Sequence, residues 1–286
     1  MSIVTSKQIV DAAAGGGYGI SAFNTQGGHY DIVRAIVESA VEERSPVILM
    51  AYEKNLEYYG YSHFVILAKH LAESSAVPIA LHLDHSESVD SIEKAIESGF
   101  TSVMIDYSKK PIEDNIRITR EVIKMAVPHG ISVEAEIGEL QRTDADANQE
   151  PKNLVDVEDV RRFLEKCRPD MLAVGIGNAH GFYKGEPNIR IDLLKSVREV
   201  AQDVPLVLHG TTGIPEETVR ECIRNGVAKV NFGTIIRYNY LDYFKKALGG
   251  AVEHKDHTWR IARFTMEQLK EDVRKILRLT MSEGKV

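Results

Sequence analysis

The feature that most restricts this chain is a rhythm. Short, β-rich apolar runs recur along its 286 residues, and stretches with helical spacing separate them. The predicted strands are Gly19–Asn24, Pro46–Ala51, Pro78–His82, Ser102–Asp106, Ser132–Ile137, Met171–Gly175, Pro205–Leu208 and Ala228–Phe232. Between them, apolar residues three and four apart predict helices such as Ile32–Glu43, Ser88–Ser98, Asn115–Ala126, Ile191–Val200 and Glu216–Asn225. Most strand runs are apolar throughout rather than alternating, as parallel strands covered by helices are. Eight such strands with interposed helices predict an α/β fold, a closed (β/α)8 barrel of the TIM type, with a doubly wound open sheet as the alternative. No linker divides the chain, so residues 1–286 read as a single barrel domain. The polar stretch Gly138–Asn153 reads as a mobile loop over a site. A helix of about Thr265–Met281 falls outside the eightfold pattern and is expected to serve dimer packing or site closure.

Composition narrows the function. A net charge of −7, without a basic run or basic-aromatic stripe, argues against nucleic acid as a partner. An anionic substrate therefore needs local positive charge from a metal, Lys, Arg or backbone N–H groups. No apolar run is long enough to span a membrane, and Met1–Ala14 reads as a short helix opened by Thr5 rather than a leader. The two cysteines, Cys167 and Cys222, sit in amphipathic helical stretches, which fits a reduced pair in a cytoplasmic protein. A homodimer or homotetramer is the usual expectation for such barrels.

Catalytic groups of α/β barrels gather at the C-terminal ends of the strands. The third strand leads to Leu83-Asp84-His85, the sixth to Gly177-Asn178-Ala179-His180-Gly181, and the seventh to Leu208-His209-Gly210-Thr211-Thr212-Gly213. Any one of these histidines alone would pass for an ordinary polar rim residue. Three at equivalent strand ends, with an acid beside one, point to a catalytic zinc site with a position left open for substrate or water. Asp84 is placed to take a proton from a substrate hydroxyl that the metal also contacts. Glu134, Glu136 and Asp106 lie in or at the ends of the fifth and fourth strands. They either orient the metal-bound histidines or form a buried salt bridge. The other seven histidines read as structural, though His82 is close enough to support the site.

Phosphate has its own signature. Barrels often hold it with the loops after strands seven and eight, here Gly210-Thr211-Thr212-Gly213 and Asn231-Phe232-Gly233-Thr234. Small residues let backbone N–H groups approach an anion. The turn Gly181-Phe182-Tyr183-Lys184-Gly185 adds a donor and a cation.

Taken together, these segments resemble class II fructose-bisphosphate and tagatose-bisphosphate aldolases. The resemblance is carried by Ala22-Phe23-Asn24, Leu81-His82-Leu83-Asp84-His85, Ser102-Val103-Met104-Ile105-Asp106, Val133-Glu134-Ala135-Glu136-Ile137-Gly138, Asn178-Ala179-His180-Gly181, Leu206-Val207-Leu208-His209-Gly210 and Lys229-Val230-Asn231. It implies His85, His180 and His209 as ligands of Zn²⁺ and Asp84 as catalytic acid/base. Asp106 and Glu134 would support those ligands or form an alternative metal position. It further implies phosphate and triose contacts from Asn24, Gly181, Lys184, Gly210, Thr211, Thr212, Asn231, Gly233 and Thr234, with a monovalent cation (Na⁺ or K⁺) often bound nearby. The implied reaction is retro-aldol cleavage without a Schiff-base lysine. Zn²⁺ polarises the C2 carbonyl of a ketose phosphate, Asp84 takes the C4 hydroxyl proton, and C3–C4 cleavage releases an aldehyde and dihydroxyacetone phosphate.

The chain departs from the family pattern where the substrate's far end should lie. The family's Gly-Gly-x-Glu-Asp loop is replaced by Gln141-Arg142-Thr143-Asp144-Ala145, so Asp144 would stand in for the loop glutamate, with a shorter reach. Ala51-Tyr52-Glu53-Lys54 replaces a stretch usually rich in small residues, Thr211-Thr212 replaces Gly-Ala or Gly-Ser, and Gly233 stands where Asp or Ala is common. Arg142, Lys54 and Arg237 are the candidate cations for a non-standard anionic group. Tagatose- or fructose-1,6-bisphosphate is the default substrate, with 6-deoxy-6-sulfofructose 1-phosphate or a deoxy-keto-gluconate phosphate as alternatives. A non-catalytic partner subunit and a zinc hydrolase are the competing readings from other classes.

Overall fold

The computed structural model describes residues 3–73, 75–139, 141–142 (backbone), 154–253 and 257–286. Its centre is a closed barrel of parallel strands: β1 (Ile20–Asn24), β2 (Val47–Tyr52), β3 (Ile79–Ser86), β4 (Ser102–Ile105), β5 (Ser132–Ile137), β6 (Met171–Val174), β7 (Leu206–Leu208) and β8 (Val227–Phe232). Each strand pairs with its sequence neighbours, and β8 closes the ring onto β1 through Val230↔Ser21 and Asn231↔Ala22. The closed ring, not the open doubly wound sheet, is what the chain adopts.

Two apolar layers hold it. Outward-facing strand residues such as Leu49, Leu81, Val103, Ala135 and Leu172 pack against the surrounding helices. Inward-facing residues, including Ile20, Ile48, Met50, Ala80, Met104 and Ala173, fill the barrel interior together with Ile9, Val10 and Ala13. Those last three belong to the helix Ser6–Gly16. Thr5 opens it by a reciprocal cap with Gln8, and Gly17, at φ 68°, ends it. This helix plugs the N-terminal end of the barrel, so the opposite end is the one that can receive a ligand.

Some boundaries differ from the sequence expectation. β3 runs on to Ser86, because Asp84 pairs with Tyr52 of the long β2, so Asp84 and His85 lie within a strand rather than after it. Lys54, the candidate cation after β2, lies in the helix Glu53–Tyr59. The C-terminal helix begins earlier, at Thr258, and runs to Leu279. Its first turn, Thr258-Trp259-Arg260-Ile261, buries Ile261 and leaves Trp259 exposed, with the Trp259 ring 4.8 Å from the Arg260 guanidinium. This helix lies on Tyr30–Glu42, where buried Lys270 reaches Glu38 at 2.9 Å and Glu42 at 2.7 Å. Among the described residues, no helix is long and apolar enough to cross a membrane.

Candidate active site

The C-terminal mouth of the barrel opens into a cavity of about 1160 Å³. Asp84, His85, Asp106, Glu136, His180 and His209 line it. So do the expected phosphate positions Gly181, Lys184, Gly210, Thr211, Thr212 and Asn231. Asn24, Gly233, Thr234, Arg237 and Lys54 complete the match between the sequence candidates and one concave surface. Three candidates do not join that set: Glu134 is fully buried and does not line the cavity, and the other two are Arg142 and Asp144. Arg142 is described by its backbone alone, and Asp144 lies outside the described residues. The backbone of Gln141–Arg142 pairs as a short strand with Ala179–His180, which ties the start of the long loop to the segment bearing His180.

Adjacent strand residues normally face opposite sides of a sheet, yet Asp84 and His85 both face the cavity. A break in register makes this possible. His82 and Leu83 pair with Ser102 and Val103, but Ser86 then pairs with Ile105. Within the break, His85 takes a left-handed φ of 48°. Bulges of this kind re-aim side chains next to functional sites.

The three histidines converge. The His85 ring lies 4.8 Å from that of His180 and 4.6 Å from that of His209. One nitrogen from each lies within 4.8 Å of the others. His85 turns Nδ1 to Asp106 Oδ2 at 3.0 Å and Nε2 to His209 Nδ1 at 2.9 Å. His209 turns its other nitrogen, Nε2, to Glu134 Oε1 at 2.8 Å. A second group of metal-ligand type consists of His85, Asp106 and Glu136. Glu136 thus occupies the place beside Asp106 that the sequence reading offered to Glu134. Glu134 lies deeper, fully buried, 2.8 Å from Lys229 Nζ. Of its two sequence readings, histidine support and a buried ion pair, Glu134 has the geometry of both.

The electrostatics follow the burial. Burial lowers the His85 pKa, but Asp84, Asp106 and Glu136 outweigh it and raise the imidazole to about 10. Burial, and then the positive charges of His85 and Lys229, push His209 well below its ordinary range. Burial pushes the Asp84 carboxyl up. It does the same to Asp106, where the His85 hydrogen bond overrides it and holds the carboxyl low. Asn231 donates its amide to Asp84 Oδ1 at 3.3 Å, which fixes that carboxylate beside the histidines.

The loops after β6 and β7 are stapled together. Tyr183 donates its hydroxyl to Gly210 O and accepts from Ala179 N, each at 2.8 Å, and Asn178 donates to His209 O at 3.0 Å. Thr211 donates to Asn231 O at 2.6 Å, joining the β7 loop to β8. The helix Thr234–Lys246 starts at Gly233, so its unpaired N–H groups lie at the cavity wall.

Sequence reading missed Lys229 as a functional candidate. A lysine inside the run Val227–Phe232 gives no local signal of its partner on β5. It also left out Tyr52, Lys109 and Tyr238, which line the same cavity.

The sequence model of class-II fructose-bisphosphate aldolases matches residues 4–285. The structure is similar to that of the YdjI aldolase from Escherichia coli K12, with 28% identity, 99% of each chain covered and a TM-score of 0.84. It is similar to a Coccidioides immitis protein assigned as a fructose-1,6-bisphosphate aldolase, with 27% identity over 98% of this chain and 97% of that one, and a TM-score of 0.87. It shares its fold with the fructose-bisphosphate aldolase of Campylobacter jejuni, at 20% identity over 100% and 97% of the two chains and a TM-score of 0.85.

Proposed function

Because the chain belongs to the class-II fructose-bisphosphate aldolase family, we propose that it is a zinc-dependent aldolase acting on a ketose 1-phosphate or 1,6-bisphosphate of the tagatose/fructose type. Its products would be dihydroxyacetone phosphate and an anionic aldehyde. One observation carries the reading: three imidazoles converge beside Asp84 at the floor of a single cavity.

The donor set suits zinc. His85 Nε2 and His209 Nδ1 face each other across 2.9 Å, while the remaining nitrogen of each ring is turned to a carboxylate. Two lone pairs aimed at one point require a proton or a cation between them, and three imidazoles are an ordinary zinc environment. His85, His180 and His209 would hold the metal, which when bound supplies Lewis-acid polarisation of the substrate's C2 carbonyl. Asp106 would orient His85, and Glu134 would orient His209.

The chain's own groups do the rest. Asp84, raised by burial and steadied by Asn231, takes the C4 hydroxyl proton. As the C4–O bond becomes a carbonyl, the C3–C4 electron pair passes to the three-carbon half, which then accepts a proton at C3. Asp144 is proposed to deliver it. The 1-phosphate is held by backbone N–H groups of Gly181, Gly210 and Thr212 and by the start of the helix after Gly233. Lys184 adds charge, and a Na⁺ or K⁺ ion would share that phosphate, as the family resemblance implies. Arg237, Lys54 and Arg142 meet the anionic group at the far end, so 6-deoxy-6-sulfofructose 1-phosphate and a deoxy-keto-gluconate phosphate belong beside the two bisphosphates as candidates. Two buried free thiols support a cytoplasmic protein, and the symmetry habit of barrels supports a homodimer or homotetramer.

The test is a coupled dihydroxyacetone phosphate assay across those ketose phosphates, with and without chelator, alongside metal analysis. Chelator-sensitive release from one of them is expected. Absence of stoichiometric divalent metal from protein purified without chelator would favour a non-catalytic subunit instead.

A further inference from the structure

Beneath the histidines lies a polar cluster that the reaction does not touch. Lys229 on β8, Glu134 on β5 and His82 on β3 are all fully buried inside the barrel, between the apolar interior and the cavity floor. Lys229 Nζ lies 2.8 Å from Glu134 Oε2. The other carboxylate oxygen, Oε1, lies 2.8 Å from His209 Nε2. His82 Nδ1 meets Ser102 Oγ at 2.7 Å, and its Nε2 lies 3.6 Å from Glu134 Oε2. Burying an ammonium and a carboxylate together is costly, and apolar residues of the same volume would fill a barrel interior as well. The pair therefore needs a reason beyond packing.

We propose that Lys229 is a positioning residue for the metal site. By holding Glu134 Oε2, it turns Oε1 toward His209, so that His209 carries its proton on Nε2 and presents Nδ1 to the ion. The chain of contacts has one direction. Lys229 touches neither the cavity nor any of the three histidines' metal-facing nitrogens. Its charge reaches His209 through space, but its positioning effect runs through the carboxylate, whose rotation would break one of its two 2.8 Å contacts. Asn231 Nδ2 lies beside the His209 ring, 3.2 Å from Nδ1 and 3.3 Å from Nε2, so the orientation of the ring rests on Glu134 at Nε2 and His85 at Nδ1. Outer contacts of this type set both the tautomer and the orientation of a ligating imidazole. This inference rests on the zinc reading above.

Zinc affinity, measured by competition with a chromophoric chelator, and the ring-nitrogen NMR of histidine-¹⁵N-labelled protein test it together. The wild-type protein is expected to bind stoichiometric zinc and to show His209 as a single tautomer protonated at Nε2. K229M is expected to bind zinc roughly 10- to 100-fold more weakly, with the His209 signals split between tautomers. In an E134Q background, adding K229M is expected to weaken zinc binding no further, since Lys229 positions His209 through the Glu134 carboxylate. Unchanged affinity and tautomer in K229M, or additive losses in the double variant, would overturn the role of Lys229 while leaving the zinc site standing. Wild-type protein that binds no zinc would overturn the zinc reading, and this inference with it. Should K229M fail to fold, the wild-type spectrum still decides: a His209 proton on Nδ1 sinks the proposal.

Discussion

His85 Nε2 and His209 Nδ1 face each other at 2.9 Å, and each ring backs its far nitrogen onto a carboxylate, Asp106 for one and Glu134 for the other. The arrangement links metal uptake to protons. Without metal, His85 is raised to about 10 from an ordinary 6.5, so it is a cation at neutral pH and donates to the neutral His209. A raised imidazole contributes stability that is complete below about 6.5 and fades as pH climbs toward 10. The melting temperature of chelator-treated protein should therefore fall between pH 7 and 10, and zinc should abolish that decline. Zinc binding at pH 8 should release about one proton, read from calorimetry in buffers of different ionisation enthalpy. His209→Ala should remove zinc and activity together; full zinc occupancy in that variant would refute the ligand set.

Asp84→Asn separates chemistry from metal binding. The variant should keep stoichiometric zinc and lose cleavage by roughly 10²-fold or more, as for a positioned acid/base. Burial raises the Asp84 carboxyl, so its charged form opposes folding as pH rises past the ordinary carboxylate range. Chelated Asp84→Asn should thus melt no lower than chelated wild type at pH 7. Near-wild-type turnover would end the assignment.

Gly210→Ala tests how tightly the loops are fitted. A Cβ at Gly210, where φ is 63°, would lie 2.3 Å from the Ala179 carbonyl oxygen and 2.6 Å from its carbon. Relief must move His209 or the strand bearing His180. Displacement on the ångström scale costs about 10²-fold in rate, so kcat/KM should drop by that order, with zinc affinity falling in parallel.

The cysteines make a quieter prediction. Burial pushes both Cys167 and Cys222 up to about 12. Thiolate is the reactive form. Iodoacetamide at pH 8 should therefore leave both unmodified in the folded protein and label both in denaturant, as counted by mass spectrometry. Rapid native labelling would contradict the burial of these helices.

The barrel was legible because its strands are nearly continuous apolar runs, and continuity needs no partner to be seen. The segment Glu53–Ala72 was harder. Gly60, at φ 91°, divides it into Glu53–Tyr59 and Tyr61–Ala72, and neither half is long enough to show a clear periodic face. At the site, His180 and His209 could be named because one ends a strand and the other follows one, and His85 because it lies near the C-terminal end of β3 beside Asp84. What sequence could not supply was direction. Simple alternation would point His85 away from Asp84, and Glu134 away from no one in particular. Only the pairing of β5 with β6 and the closure through β8 set Glu134 against Lys229, on a strand far along the chain.

The register break in β3 has a consequence for how this protein can change. One surplus residue between Leu83 and Ser86 lets two neighbours share a side. Deleting it would give a more regular ladder and send one of Asp84 and His85 outward among the helices. The tidier barrel would be the idle one. Substitutions here can be sampled one side chain at a time, but a change in the number of residues is all or nothing, so the length of β3 is as much a part of the site as the identity of anything in it.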